Sequence, residues 1–406
     1  MGTLELKKEK KVMTGNHAVA YAVKLSKAQI ISAYPITPQT SIVEKLSEFI
    51  EKGEMNARII KVESEHSALA AVYGAAIAGA RAFTATSSHG LLYMHEWVHW
   101  FSRARIPAVM AVVTRTIGPP WNIWPDHSDF MDQRDSGWIM SYAMDNQEVF
   151  DLVIQAFKVS EDPSVYLPAM VGLEGFILGG TSMPVEIPEE NSVLDFLGER
   201  RQPYSVADEI ISVGNLTSPE ETEQIQMGIQ NAMGRAREVI KKVDEEFGRA
   251  FGRSYGGLAS CYKCGDAKYV VVTMGAWSGD ALEAIDVLRD NGIDAGLLRI
   301  RYVRPFPIEE VREALSNARL GIVFDRSLSF GGFGQLYSDI ASSIIGSGTK
   351  KNLVNVISGL GGVNISSDDF VQAIKSIIES YESEGYVHPF LWYHQGEVMK
   401  YQHIKA

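Results

Sequence analysis

Short apolar runs alternate with longer amphipathic stretches along most of the chain. Gln29–Ala33 (QIISA) predicts a buried strand. From Pro38 to Lys52, Ile42, Leu46, Phe49 and Ile50 fall on one helical face. Thr37 is suited to cap that helix, Pro38 to open it and Gly53 to close it. Arg58–Val62 predicts a strand, Ser67–Ala80 a helix rich in small residues, Arg81–Thr86 a strand and Gly90–Ala104 a helix. Ala108–Thr114 (AVMAVVT) has the unbroken apolar character of a strand inside a parallel sheet. Gln147–Ser160 predicts a helix and Ser164–Val171 a strand. Strands alternating with helices of this length predict a doubly wound α/β domain.

The pattern changes near Met183. From Pro184 to Tyr204 three prolines and many charges predict an excursion across the surface, and Glu220–Phe251 predicts one long charged helix. A second α/β pattern follows. It has strands at Tyr269–Met274, Ala295–Ile300, Leu320–Asp325 and Val354–Ile357, with helices at Asp280–Asp290, Glu309–Ser316 and Gly331–Ile345. The expected division is a first domain with helical extension over 1–250, a second over 265–385 and a tail over 386–406.

The 406 residues carry 38 Lys+Arg against 50 Asp+Glu, a net charge of −12, which argues against sequence-independent binding of nucleic acid. Lys7–Lys11 reads as a solvated basic stretch too short to change that. With two cysteines the chain has neither a disulfide scaffold nor a self-contained four-cysteine metal or cluster site. Cys261 and Cys264 read as ordinary thiols in a linker. No apolar run is long enough to span a membrane, and the charged start MGTLELKKEKKV is not a secretory signal. A soluble cytoplasmic protein is expected.

Ligands of doubly wound sheets bind at the carboxyl ends of strands, and three segments there carry chemistry. Tyr34–Thr40 (YPITPQT) reads either as a plain capped turn or as the approach to an anion at a helix N-terminus. Val62–Ala68 (VESEHSA) places Glu63, Glu65 and His66 at the mouth of the small-residue helix. Glu63 reads as a dipole-complementing acid, and Glu65 as a partly buried carboxylate suited to acid–base work. Thr114–Pro120 (TRTIGPP) puts Arg115 directly after an apolar strand, where a guanidinium can grip a carboxylate. The loop beyond adds Asp126, His127, Asp129, Arg134 and Asp135, which read as an ion-pair network rather than a metal site.

Taken together, YPITPQT, KVESEHSA (61–68), GARAFTATSSHGLLYMHE (79–96), TRTIGPPWNIWPDHSDFMDQRDSGWI (114–139), RPFP (304–307) and GLGG (359–362) resemble the alpha subunit of 2-oxoacid:ferredoxin oxidoreductases, of the pyruvate:ferredoxin oxidoreductase type. The resemblance implies a thiamine pyrimidine-binding domain followed by a transketolase C-terminal-like domain. It aligns Glu65 with the glutamate on the thiamine aminopyrimidine and Pro35 with a residue lining thiamine. It aligns Thr37 and Arg115 with residues that hold the substrate. The implied reaction is oxidative decarboxylation of a 2-oxoacid to acyl-coenzyme A in anaerobic metabolism.

Gly265-Asp266-Ala267 is not a complete Mg-diphosphate motif. The expected partners are therefore a beta subunit holding the diphosphate and Mg2+, and gamma- and delta-type subunits, with 4Fe-4S clusters on the partner chains and ferredoxin or another acceptor taking the electrons. His89 stands where pyruvate-type sequences have Gln. With Trp97, Trp100 and Trp121 it could line a pocket for an aromatic acid such as phenylglyoxylate, or these rings could simply be packing. Pyruvate is favoured by motif. The competing readings are half of a non-oxidative thiamine decarboxylase and a non-catalytic assembly subunit.

Overall fold

Two seven-stranded sheets organise the chain, and a computed structural model describes residues 8–200, 202, 205–208, 210–345 and 352–400. The first sheet runs in the order Tyr302–Arg304, Ile139–Tyr142, Ala169–Glu174, Val109–Thr114, Ala82–Thr86, Ile30–Ser32, Arg58–Ile60. Only its Tyr302–Arg304 edge is antiparallel. The second runs Glu397–Lys400, Phe390–His394, Asn352–Ile357, Leu320–Asp325, Tyr269–Met274, Ala295–Ile300, Ala259–Tyr262. It is parallel except at its two edges.

The two-residue period of strands explains the layering. Val109, Ala111 and Val113 enter one core with helices Gly15–Leu25 and Asn146–Ser160. Met110 and Val112 enter a second core with helices Glu65–Ile77 and His95–Ala104. That second core also takes Val270, Val272 and Met274 of the other sheet, so the two sheets share it. Val271 and Phe324 face a third core against helices Ser278–Asp290 and Ser367–Glu384. The doubly wound thiamine-type domain followed by a transketolase-like domain is the architecture observed.

The chain passes between sheets at Arg301, between Ala295–Ile300 and Tyr302–Arg304. This residue is fully buried and donates from Nε to Glu148 at 2.6 Å, while Arg299 grips the same carboxylate. Burial would raise the Glu148 carboxyl, but the two guanidiniums bring it down to about 2. Replacing Glu148 with Gln strips Arg299 of its buried carboxylate and leaves Arg301 to Asp244, 3.6 Å away, and a loss of about 3–5 kcal/mol is expected. Because the folded-state pKa is depressed, this contribution is complete above the ordinary value of 4.5 and is lost as pH falls through 2. Thermal melts should therefore separate wild type from E148Q near neutral pH and bring them together toward pH 2.

The sequence reading needs correction at several points. The supposed excursion contains a strand, Ser182–Pro188, and a helix, Glu190–Leu197. The strand pairs antiparallel with Lys8–Thr14, so the basic stretch there, with Lys10 solvent-exposed, is strand as well. A two-stranded ribbon leaves one edge of each strand free, which is where Pro184 and Pro188 can sit. The strand expected at Ser164–Val171 lies at Ala169–Glu174, and Gly90–Ala104 is two helices, Ser88–Tyr93 and His95–Ala104. The helix expected from Gly331 begins at Gln335. The supposed tail from 386 supplies the strands Phe390–His394 and Glu397–Lys400. Met1–Lys7, on which most of the reading of the chain start rests, lies outside the described residues.

The long helix spans Pro219–Phe251 and opens with a Ser218–Glu221 capping box. Ile229, Ala232, Ala236, Ile240, Val243 and Phe247 form its buried stripe. Among the described residues no helix is long and apolar enough to cross a membrane.

Candidate active site

Parallel strands send their carboxyl ends the same way, so the segments leaving Ile30–Ser32, Arg58–Ile60, Ala82–Thr86 and Val109–Thr114 gather on one side of the first sheet. Glu65 opens its helix two residues earlier than the sequence predicts, because Ser64 is the cap and accepts from the Ser67 N–H at 3.2 Å. The Glu65 carboxylate is half-buried at the positive end of the helix, and among the described residues no hydrogen-bond donor reaches it. Gly90 lies directly against it. A Cβ there would stand 2.8 Å from Glu65 Oε1 and 2.5 Å from Thr86 Oγ1. The Thr86 hydroxyl and that of Ser87 are buried without partners.

Ser88 is held at φ +45°, a left-handed conformation that costs a non-glycine residue about 1–3 kcal/mol. Asp129 holds it there, taking the Ser88 N–H at 2.7 Å on Oδ2 and the Arg115 N–H at 3.0 Å on the same oxygen. Burial pushes the Asp129 carboxyl up to about 8, against the backbone donors that favour its charged form.

Arg115 is buried, and burial draws its guanidinium below the usual pKa while Asp129 and Glu65 oppose that. Its Nη1 donates to the Thr37 carbonyl at 2.7 Å and its Nη2 to His89 Nδ1 at 3.4 Å. His89 Nε2 then donates to the Gly118 carbonyl at 2.9 Å. Trp121 covers the guanidinium, its ring centre 4.9 Å from Cζ. The Arg115 Nε–H is buried and has no partner. Thr37 itself is exposed and does not cap the following helix, which begins at Thr40 behind Gln39. Pro35 is exposed on the same segment.

Glu65, Thr37, His89 and Arg115 are thus drawn together around one guanidinium. The loop acids do not converge. Asp126 accepts from the Gly361 N–H at 3.1 Å, and Asp135 lies 3.5 Å from Arg304. Asn122 donates to the Gly361 carbonyl at 2.9 Å, so the GLGG segment of the second domain braces the Trp121 loop. His127 is buried against Glu174 at 3.1 Å, and Glu174 also takes the Ala276 N–H at 2.8 Å. That pair joins the carboxyl ends of a strand from each sheet. Asp266 is held by two Arg289 hydrogen bonds of 2.8 Å. Among the described residues no three His, Cys, Asp or Glu side chains converge as a metal site.

Trp97 and Trp100 pack on Tyr73 of the Glu65–Ile77 helix, and Trp97 also lies 5.9 Å from the His66 ring. Sequence reasoning missed Gly90 and the role of Asp129. The signal for Gly90 was available in the SSHG run, a glycine placed where a strand turns into a helix.

The family described as pyruvate flavodoxin/ferredoxin oxidoreductase, thiamine diphosphate-binding, matches residues 21–245. Pyruvate:ferredoxin oxidoreductase core domain II matches residues 267–370. The chain is 42% identical over 396 residues to a ketoisovalerate oxidoreductase subunit VorA of Pyrococcus abyssi, covering 96% of this chain and 99% of that one. It is 47% identical over 378 residues to a pyruvate synthase subunit PorA of Methanocaldococcus jannaschii, covering 92% and 95%. A solved 2-oxoglutarate:ferredoxin oxidoreductase from Magnetococcus marinus shares the fold with a TM-score of 0.71 at 20% identity, over 90% of this chain and 65% of that longer one. The two family matches in tandem, and relatives of this identity along nearly the whole length, make the chain a member of the pyruvate flavodoxin/ferredoxin oxidoreductase family.

Proposed function

We propose that the chain is the alpha subunit of a 2-oxoacid:acceptor oxidoreductase complex that makes acyl-coenzyme A from a small aliphatic 2-oxoacid, pyruvate first. The observation that carries this reading is the pair of unsatisfied groups in the site. Among the described residues Arg115 has a buried N–H without a partner, and Glu65 a half-buried carboxylate without a donor.

The residues present fit one half of a thiamine site. Glu65, with Gly90 clearing space beside it, is the acceptor for a protonated pyrimidine nitrogen, and Pro35 lines the same approach. Bound thiamine diphosphate supplies the electron sink that allows a 2-oxoacid to lose carbon dioxide. Arg115, itself buried, binds the substrate carboxylate through a charge-assisted bond. Thr37 offers its exposed hydroxyl to the substrate. His89 fixes the guanidinium in place, and Trp121 closes its outer face. The relatives' names, pyruvate synthase and ketoisovalerate oxidoreductase, support an aliphatic substrate. Of the three tryptophans Trp121 lies on Arg115 while Trp97 and Trp100 pack on Tyr73, which favours a small pocket over a wide aromatic one.

In this reading the diphosphate, Mg2+ and the 4Fe-4S clusters belong to beta-, gamma- and delta-type partners, and a ferredoxin-like acceptor takes the electrons. The test is coenzyme A-dependent viologen reduction by the complex, isolated anaerobically through this chain. Pyruvate or 2-oxoisovalerate should exceed phenylglyoxylate at least tenfold in kcat/KM. A preference for phenylglyoxylate would overturn the substrate assignment. Decarboxylation without acceptor reduction would favour the non-oxidative reading.

A further inference from the structure

The two cysteines sit on the edge of the second sheet, away from the site described above. Cys261 is in the edge strand Ala259–Tyr262, not in a linker, and Cys264 lies in the turn that follows. Lys263 takes a left-handed φ of +54°, which turns the chain back on itself. Arg289 pins the turn by donating to the Lys263 carbonyl at 2.9 Å while it holds Asp266. Cys261 is exposed, whereas Cys264 is buried and donates to the Leu297 carbonyl at 3.2 Å. Both line a cavity of about 390 Å³ with Glu310 and Glu313 from helix Ile308–Leu315. This is an accessible sulfur backed by a second one on a braced turn, opening on a space that admits a small oxidant.

We propose that Cys261 and Cys264 form a reversible dithiol–disulfide site in which Cys261 reacts first with a peroxide and Cys264 closes the bond. The Cys261 thiolate attacks one peroxide oxygen and the O–O bond breaks. The departing hydroxide takes a proton and leaves as water, and Cys261 becomes a sulfenic acid. The Cys264 sulfur then attacks the Cys261 sulfur, the S–O bond breaks, and the hydroxyl leaves as a second water with the Cys264 proton. Two thiols and one peroxide thus give one disulfide and two waters, and a dithiol reductant reverses the change. The neighbouring Cys264 thiol draws the Cys261 thiol below its usual pKa, against partial desolvation and the nearby Glu313 charge. The Cys264 thiol is raised, first by Cys261 beside it and then by burial, and keeps its proton until the second step.

The chain has only these two cysteines, so thiol alkylation reads this pair alone. The anaerobically isolated complex is exposed to hydrogen peroxide, unfolded in N-ethylmaleimide, and this chain is weighed. Wild type should lose both alkylatable thiols and the mass of two hydrogens, and dithiothreitol should restore them. Cys264→Ser should trap Cys261 as a dimedone-reactive sulfenic acid. Cys261→Ser should leave Cys264 alkylatable. The proposal is overturned if wild-type Cys264 stays alkylatable while Cys261 carries dimedone or a sulfinic acid. It is overturned equally if the disulfide joins two chains, or if both thiols survive peroxide that oxidises free cysteine.

Discussion

Replacing Glu65 with Gln is expected to lower turnover of the assembled complex by about 10²- to 10⁴-fold, the range of a lost acid–base group. The fold should scarcely notice. Among the described residues Glu65 takes no hydrogen bond, and its favourable position at a helix N-terminus is worth about 0.3–1 kcal/mol. The melting temperature should therefore move little while turnover collapses, a separation that a structural role would not produce. Gly90→Ala should approach the same phenotype from the other side, since a methyl there meets Glu65 Oε1 at 2.8 Å and must displace it. Turnover within twofold of wild type in E65Q would remove the carboxylate from the chemistry. It would return the chain to the class of assembly subunits.

Arg115→Ala is expected to raise the apparent KM for the 2-oxoacid by a factor equivalent to about 2–5 kcal/mol, the effect of removing one partner of a buried charge pair. Arg115→Lys should recover only part of this, because an ammonium keeps the charge but not the planar fork that spans Thr37, His89 and a carboxylate. The substrate profile should flatten in the alanine variant, since Trp121 there loses the cation it covers. The KM for coenzyme A should hold. An unchanged KM for the 2-oxoacid in the alanine variant would place the substrate carboxylate elsewhere.

These two residues were legible in the sequence for different reasons. Arg115 is an arginine at the end of a wholly apolar strand, and Glu65 a carboxylate at the mouth of an alanine-rich helix. Both are departures from local expectation, of the kind that function produces. Asp129 was harder to read, because its task is to hold the backbone N–H groups of Ser88 and Arg115, both distant from it in sequence. Trp97, Trp100 and Trp121 look alike in sequence, yet helix geometry directs the first two to Tyr73 and the loop lays the third on Arg115.

The sequence by itself determined the alternation of strands and helices, the unbroken strands at Tyr269–Met274, Ala295–Ile300 and Leu320–Asp325, and the segments that carry the site. Those features follow from periodicity and local propensity, which act over a few residues. Only the tertiary structure decided that Arg301 carries the chain from one sheet to the other, and that Lys8–Thr14 and Ser182–Pro188 make a ribbon. It alone decided that Glu148 is the counter-charge of two arginines about 150 residues away. Such pairings are fixed by the cost of leaving buried charges and backbone groups unpaired. That cost is set by where the whole chain folds, and no window of sequence contains it.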